Sequence, residues 1–109
     1  MDNGLYFIRV EPAAGGRPEN GGVFILRNGR LLGGDAFFYY VGSYSSADGG
    51  WSGEFSIKQH TRSGQAVPVF GATDATLSFS GTCGQGAAEA EVSCADRGYR
   101  ITLRRIADA

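Results

Sequence analysis

The stretch RNGRLLGGDAFFYY (residues 27–40) holds a turn, a double glycine and four consecutive aromatic residues. Asn28-Gly29 is typical of a type I′ β-hairpin turn, in which both central residues must adopt positive φ. A half-buried strand alternates apolar and polar side chains, but here the aromatic residues run without a break from Phe37 to Tyr40. Both faces of this predicted strand are therefore apolar, and the second face needs a cover.

The remainder of the chain continues this pattern of short strands and turns. Helical periodicity is nearly absent, and strand-length runs are separated by Gly, Asn, Asp and Pro at fairly even spacing, which is typical of a β-sandwich or barrel. Short connections favour antiparallel neighbours, and closing the meander removes its exposed edges. We therefore expect an all-β fold, an eight-stranded antiparallel up-and-down barrel, as one domain over residues 1–109. The predicted strands cover residues 4–11, 20–28, 30–35, 37–45, 51–60, 74–82, 87–95 and 97–106.

Glycine-containing turns join the predicted strands. Asp48-Gly49-Gly50 is the same kind of turn as Asn28-Gly29, and residues 84–86 and 96–98 link the last three strands. The longest connection, residues 61–73, contains Gly64, Pro68 and Gly71. We expect this connection either to hold a short helical turn or to cross one end of the barrel.

Composition argues against several classes of protein. The 109 residues include 10 Lys and Arg and 11 Asp and Glu, a formal net charge of −1, which argues against nucleic-acid binding through a basic face. Residues 1–4 have no basic region and no long apolar run, so we expect no signal peptide and predict a cytoplasmic protein. No stretch approaches the roughly 18 apolar residues of a transmembrane helix, so no membrane partner is expected.

Predicted strands five to eight alternate cleanly between apolar and polar side chains. Such a pattern places one face inward and the other in water. The candidate residues of the barrel interior are Trp51, Phe55, Phe79 and Tyr99. Small inward residues lie among them, at Gly53, Gly81, Ala88 and Ala90. The pattern leaves open whether the interior is filled or has room for a small apolar ligand.

Predicted strands one, two and four carry large apolar residues on both faces. If one set fills the barrel, the other coats the outside in a patch larger than monomers usually expose. We expect another protein chain to cover this patch, most simply a second copy in a homodimer; the alternative cover is the long connection or the N-terminal segment. The candidate interface residues are Leu5, Phe7, Phe24, Leu26, Phe38, Tyr40 and Tyr44.

The residue types that carry catalysis or bind metals show no suggestive spacing. His60 lies on the polar face of strand five, so a solvated surface histidine is favoured over a catalytic triad. Cys83 and Cys94 lie at opposite ends of one predicted hairpin, too far apart for a disulfide, and two free buried thiols are expected. The run GTCGQG (residues 81–86) lies between two strands, which is the wrong context for a phosphate loop. We expect no enzyme activity, cofactor or metal.

Three segments of the chain resemble the GrlR-type negative regulators of type III secretion. They are NGLYFIRV (3–10), NGGVFILRNGRLLGGD (20–35) and YYVGSYS (39–45), and FGATDATLSFSGT (70–82) is similar to small homologues. The resemblance implies a lipocalin-like (calycin) barrel that forms dimers. It also implies regulation by protein–protein contact, through sequestration of a transcription activator and without reading DNA.

One departure from that family concerns the loop after the fourth strand. In the characterised regulators an acidic run in this loop is tied to activator binding, whereas residues 45–51 here contain a single acidic residue, Asp48. The resemblance therefore makes Asp48 a candidate partner-binding residue without carrying over the whole acidic run.

The second hypothesis is a lipocalin-like carrier that holds a small apolar ligand inside the barrel.

Overall fold

The chain forms a closed eight-stranded antiparallel barrel, in which each strand pairs with its neighbours in sequence and β8 pairs with β1. This computed structural model describes residues 1–65, 70, 73–94 and 97–109, and only the backbone of residues 19 and 20. The strands are β1 (Gly4–Pro12), β2 (Glu19–Arg27), β3 (Arg30–Gly34), β4 (Phe38–Ala47), β5 (Gly50–Gln59), β6 (Asp74–Cys83), β7 (Ala87–Cys94) and β8 (Arg97–Ala107). The predicted fold class is confirmed.

Two tight turns set the order of the first five strands. Asn28 and Gly29 have φ of 51° and 82°, and Asp48 and Gly49 have φ of 55° and 81°. Positive φ at both central residues is the type I′ geometry that matches the twist of paired strands. The predicted turn residue Asp96, the predicted end of strand seven at residue 95, and Pro68 and Gly71 lie outside the described residues.

Aromatic rings in mutual contact occupy the barrel interior. Ring centroids lie 5.5 Å apart for Phe24 and Phe55, 5.8 Å for Tyr40 and Phe55, and 4.6 Å for Trp51 and Phe79. Most of these pairs meet edge to face, an arrangement that adds to the gain from burial. All four candidate interior residues, Trp51, Phe55, Phe79 and Tyr99, are buried there.

Four residues expected on the outer interface are almost fully buried inside the barrel instead. They are Phe24, Leu26, Phe38 and Tyr40, each at most 1% exposed. β6 and β7 contribute small inward residues at Gly81, Ala88 and Ala90 beside the large Leu77 and Phe79. Large rings from several strands fill the interior around them, among them Phe24 of β2 and Tyr40 of β4, because protein interiors pack without sizeable voids.

Phe70 closes one end of the barrel. It belongs to the connection between β5 and β6, and it is 1% exposed. Its ring centroid lies 5.6 Å from those of Phe55 and Tyr99 and 6.3 Å from that of Tyr40. The residue thus joins the interior cluster from a loop, and no strand pattern in the sequence indicated it.

Both cysteine thiols are free, but they are half-buried and not fully buried as expected. Cys83 pairs in register with Ala88 at the turn end of the β6–β7 hairpin, and Cys94 pairs with Arg97. The two residues therefore lie at opposite ends of the barrel wall.

Replacing Phe70 by Ala should lower the free energy of unfolding by about 3–5 kcal/mol, because a large buried ring leaves a cavity among other rings. Urea denaturation followed by Trp51 fluorescence measures the change. Gln65→Ala, at an exposed position of the same connection, is the matched control and should have almost no effect. Equal stability of the two variants would show that Phe70 does not belong to the core.

Candidate functional site

Two rows of apolar residues cross the outside of the barrel from β1 to β4. The first row runs, strand by strand in register, through Leu5, Ile25, Leu32 and Val41. The second row runs through Phe7, Val23, Gly34 and Tyr39. We call these eight residues the apolar face. Their neighbours along each strand point into the core, so both sides of this wall are apolar.

Exposed hydrophobic surface is concentrated on the apolar face. Ile25, Leu32, Tyr39 and Val41 are 38–41% exposed, and they are four of the five large hydrophobic side chains that are exposed in the described part of the chain. The fifth, Ile106, lies at the β-bulge opposite the start of β1. Exposed apolar residues scattered singly need no explanation, but a contiguous group marks an interaction site.

The opposite wall of the barrel has a polar exterior. Its outward residues on β5 and β6 are Ser52, Glu54, Ser56, Lys58, Thr76, Ser78, Ser80 and Thr82. These side chains are mostly exposed, and their hydroxyls, carboxylate and ammonium group can all bond to water. The chain thus has one apolar wall and one polar wall, as expected from the two halves of the sequence.

The structure brings together only two of the predicted interface residues, Leu5 and Phe7, which lie half-buried on the apolar face. Tyr44 points toward the interior at the barrel end, with its ring centroid 6.3 Å from that of Trp51. Asp48 is exposed in the β4–β5 turn.

The other six members of the apolar face were not among the predicted interface residues. Val23, Ile25, Tyr39 and Val41 belong to the second apolar set on β2 and β4, and Leu32 and Gly34 belong to β3. The signal that would have found them is side-chain size. On each of β2 and β4, the set with the larger aromatic rings fills the interior, and the set richer in branched aliphatic residues faces outward. Periodicity alone cannot separate two apolar sets, because both have a period of two.

Asp35 fixes the turn beside the apolar face. Its Oδ1 accepts hydrogen bonds from the backbone N–H groups of Phe37 at 2.9 Å and Phe38 at 2.8 Å. Its Oδ2 accepts one from the Tyr40 hydroxyl at 2.9 Å. The carboxylate therefore holds the start of β4 so that Phe38 and Tyr40 point inward, which leaves Tyr39 on the outside.

His60 is exposed and bridges two connections at the same end of the barrel. Its Nε2 lies 3.0 Å from the backbone oxygen of Asp35, and its Nδ1 lies 2.6 Å from the Thr61 hydroxyl oxygen. A neutral imidazole with its proton on Nε2 satisfies both contacts, donating to the carbonyl and accepting from the hydroxyl. A hydrolytic triad would instead place the imidazole between a nucleophile and a carboxylate. These contacts join two turns, which is a structural role.

Burial, together with the neighbouring Asp35 carboxylate, raises the pKa of the Tyr40 phenol above its usual value of 10.0. Burial and the nearby Asp2 carboxylate also raise the pKa of Tyr6. Ionised phenolate would lose its hydration in the interior and would meet the Asp35 charge at short range. Tyr40 therefore stays a hydrogen-bond donor throughout the physiological pH range.

Comparison with known proteins gives no assignment: no protein-family model matches the chain, and no curated protein matches it. The resemblance to GrlR-type regulators stays a prediction. Within the described residues, no three His, Cys, Asp or Glu side chains group so as to hold a metal ion. The same part of the chain contains no helix of the length and hydropathy needed to span a membrane.

Tyr40→Phe should lower the free energy of unfolding at neutral pH by about 1–3 kcal/mol, because it removes a hydrogen bond to a charged carboxylate. Urea denaturation measures the loss. Tyr39→Phe removes one hydroxyl from the exposed outer side and should leave stability nearly unchanged. A Tyr40→Phe variant as stable as the control would show that the bond to Asp35 does not stabilise the turn.

Stability should also fall as pH rises above about 10, where tyrosine ionises in the unfolded chain but Tyr40 keeps its proton in the folded one. The folded-state pKa is raised, so this contribution is complete at lower pH and is lost on the alkaline side. Tyr40→Phe should show a decline shallower by up to about 1.4 kcal/mol per pH unit. Unfolding curves between about pH 9 and 11 give the two slopes, and identical slopes would contradict the expectation.

Proposed function

We propose that this protein is a non-catalytic binding module that acts by protein–protein contact through the apolar face. The observation that carries the proposal is the clustering of exposed apolar side chains on one wall of a barrel whose opposite wall is polar. The eight residues of the face contain no titratable carboxylate, imidazole or amine. Such a surface favours association by burial, and the Tyr39 phenol is its one group of a kind used in acid–base catalysis.

The exposed apolar surface of the face limits the free energy that binding can gain from burial. Fully burying an aliphatic or aromatic side chain contributes about 1.5–3 kcal/mol, so covering the exposed two-fifths of one contributes roughly 0.5–1 kcal/mol. The exposed members of the face together supply a few kcal/mol before the entropy lost on association. The face can therefore anchor a partner, but additional polar or charged contacts are needed for tight binding.

The resemblance to GrlR-type proteins extends the proposal to a regulatory role, in which the barrel sequesters a transcription activator or another protein. A second copy of the chain is the occupant predicted first from the sequence. Asp48 provides one exposed carboxylate in a two-residue turn. That short turn offers little area for a partner, so the proposal relies on the apolar face and not on an acidic loop.

The alternative, a carrier that holds a small apolar ligand in the barrel interior, has less support. Edge-to-face contacts link Phe24, Tyr40, Phe55, Phe70 and Tyr99 across the interior. A ligand in that space would have to displace rings that already bury one another. Barrels of eight strands have interiors just wide enough for side chains or for one small ligand, and here the rings occupy the space.

A photo-reactive amino acid at position 32 tests the proposal in cells that make the protein. Illumination should give a covalent adduct of discrete mass, because Leu32 lies near the centre of the apolar face. The same photo-reactive residue at position 78, in place of outward Ser78 on the polar wall, is the matched control and should give no such adduct. Equal labelling at both positions, or none at position 32, would refute the proposed contact surface.

Substitutions at two adjacent leucines distinguish a loss of binding from a loss of folding. A photo-reactive residue at position 41, which pairs with Leu32 in the same row, reports binding in the Leu32→Glu variant. Leu32→Glu places a charge on the apolar face and should abolish the adduct at position 41 while leaving the unfolding transition nearly unchanged. Leu31→Glu buries a charge in the core, where Leu31 is fully buried, and should prevent stable folding. Circular dichroism measures folding in both variants, and a Leu32→Glu variant that unfolds would place Leu32 in the core.

A further inference from the structure

We infer that the occupant of the apolar face is an acidic protein segment that presents apolar side chains between carboxylates. The inference rests on the proposed function and adds the chemistry of the partner. Its basis is the distribution of charge around the two apolar rows. In a chain of net charge −1, each side of this one surface has at least one Arg or Lys at its border.

The second row ends in a cation at each side. On the β8 side, Phe7 pairs in register with Arg104, and on the β5 side, Tyr39 pairs with Lys58. Both basic residues are exposed and alternate in phase with the outward residues of their strands. A partner wider than these four strands would therefore meet a positive charge at each flank.

The two remaining borders are formed by arginines. Arg27 and Arg30 pair with each other across the β2–β3 hairpin, directly beyond the first row. Arg9 is the next outward residue after Phe7 on β1, beyond the second row. All three are exposed. Like charges placed opposite each other on a sheet destabilise it, so the Arg27–Arg30 pair is a cost in the isolated chain that an acidic partner would remove.

The ion pairs of the described residues leave the border arginines out. Ion pairs in the described part of the chain join Lys58 to Asp74 at 3.6 Å and Arg100 to Glu91 at 3.1 Å, and a third joins Arg105 to Asp108. None of these pairs includes Arg9, Arg27, Arg30 or Arg104. An incoming carboxylate can therefore bind a guanidinium without breaking any of these pairs, and such charge-assisted bonds are the stronger kind.

A second copy of the chain fits this surface less well. Two apolar faces packed together would bring two basic borders together, because the described carboxylates near the face are already bonded or lie beyond the basic residues. Asp35 accepts bonds from the Tyr40 hydroxyl and the start of β4, and Asp74 pairs with Lys58. Glu11 lies two residues beyond Arg9 on β1, and Glu54 lies two strands beyond Arg30. Juxtaposed like charges at an interface cost several kcal/mol, whereas carboxylates on a partner would be attracted from all four sides.

An anionic membrane surface fits less well for a different reason. Membrane-binding surfaces insert apolar side chains below the headgroups. The members of the apolar face are at most 41% exposed, so each side chain has less than half of its surface left to insert among lipid tails. A surface of this kind suits a protein segment that brings its own apolar side chains.

Purified full-length protein and a labelled probe peptide provide the test. The probe is an amphipathic peptide of about 18 residues, five helical turns, with Leu on one face and Glu on the other. The matched control peptide has Lys in place of every Glu. Fluorescence anisotropy should show that the Glu peptide binds at least about tenfold more tightly than the Lys peptide, and that added salt weakens the binding.

Charge reversal locates the binding site. The double variant Arg27→Glu, Arg30→Glu should lower the affinity for the Glu peptide by at least about tenfold and should raise the affinity for the Lys peptide. Arg62→Glu, at an exposed position in the connection after β5, is the matched control and should change neither affinity by more than about twofold. Val41→Glu should also abolish binding, because it places a like charge within the apolar row.

Several results would overturn the inference. They are equal binding of both peptides, no binding of either, a wild-type dimer in light scattering that Val41→Glu dissociates, and capture by phosphatidylserine vesicles in place of the Glu peptide. The dimer result would identify a second copy as the occupant and would leave the proposed function standing. The proposed function itself fails if the photo-reactive residue at position 32 gives no adduct or labels no more than the one at position 78.

Discussion

The structure depends on one constraint: a closed barrel of eight strands must fill its interior with the side chains of its own chain, most of them from its walls. β7 supplies the smaller inward residues Ala88, Ala90 and Val92. Other strands must therefore supply the volume, and the aromatic rings of β2, β4, β5 and β6 do so. This requirement decides which of two apolar sets on β2 and β4 points inward, and consequently which set is left on the outside.

The fold could be predicted from the sequence because its determinants are local. Asn28-Gly29 and Asp48-Gly49 encode their turns in their own backbone preferences, and the alternating strands β5–β8 show their inward face directly. The apolar face could not be predicted in the same way. On β2 and β4 both faces are apolar, and the choice between them depends on volume contributed by distant strands and on Phe70, which enters from a loop.

The double glycine and aspartate in residues 33–35 connect a local sequence signal to the choice of which face of β4 points inward. A side chain at Gly33 would collide with the backbone oxygen of Val23, so β3 can approach β2 closely only because that side chain is missing. Asp35 then anchors Phe38 and Tyr40 inward through a backbone bond and a hydroxyl bond. The physical role of this motif is to determine which face of β4 points inward, at the point where periodicity gives no preference.

Because the interior is filled, a partner or ligand would have to bind on the outer surface of the barrel. The interior rings are held by one another and by Phe70, so they contribute stability and leave little space for a guest. The outer wall keeps the apolar side chains that the interior did not need. Their burial alone yields modest affinity, so selectivity has to come from the charges around them. If the face binds a partner as proposed, the arginines at the border determine which apolar partners it accepts, and they favour those that carry carboxylates.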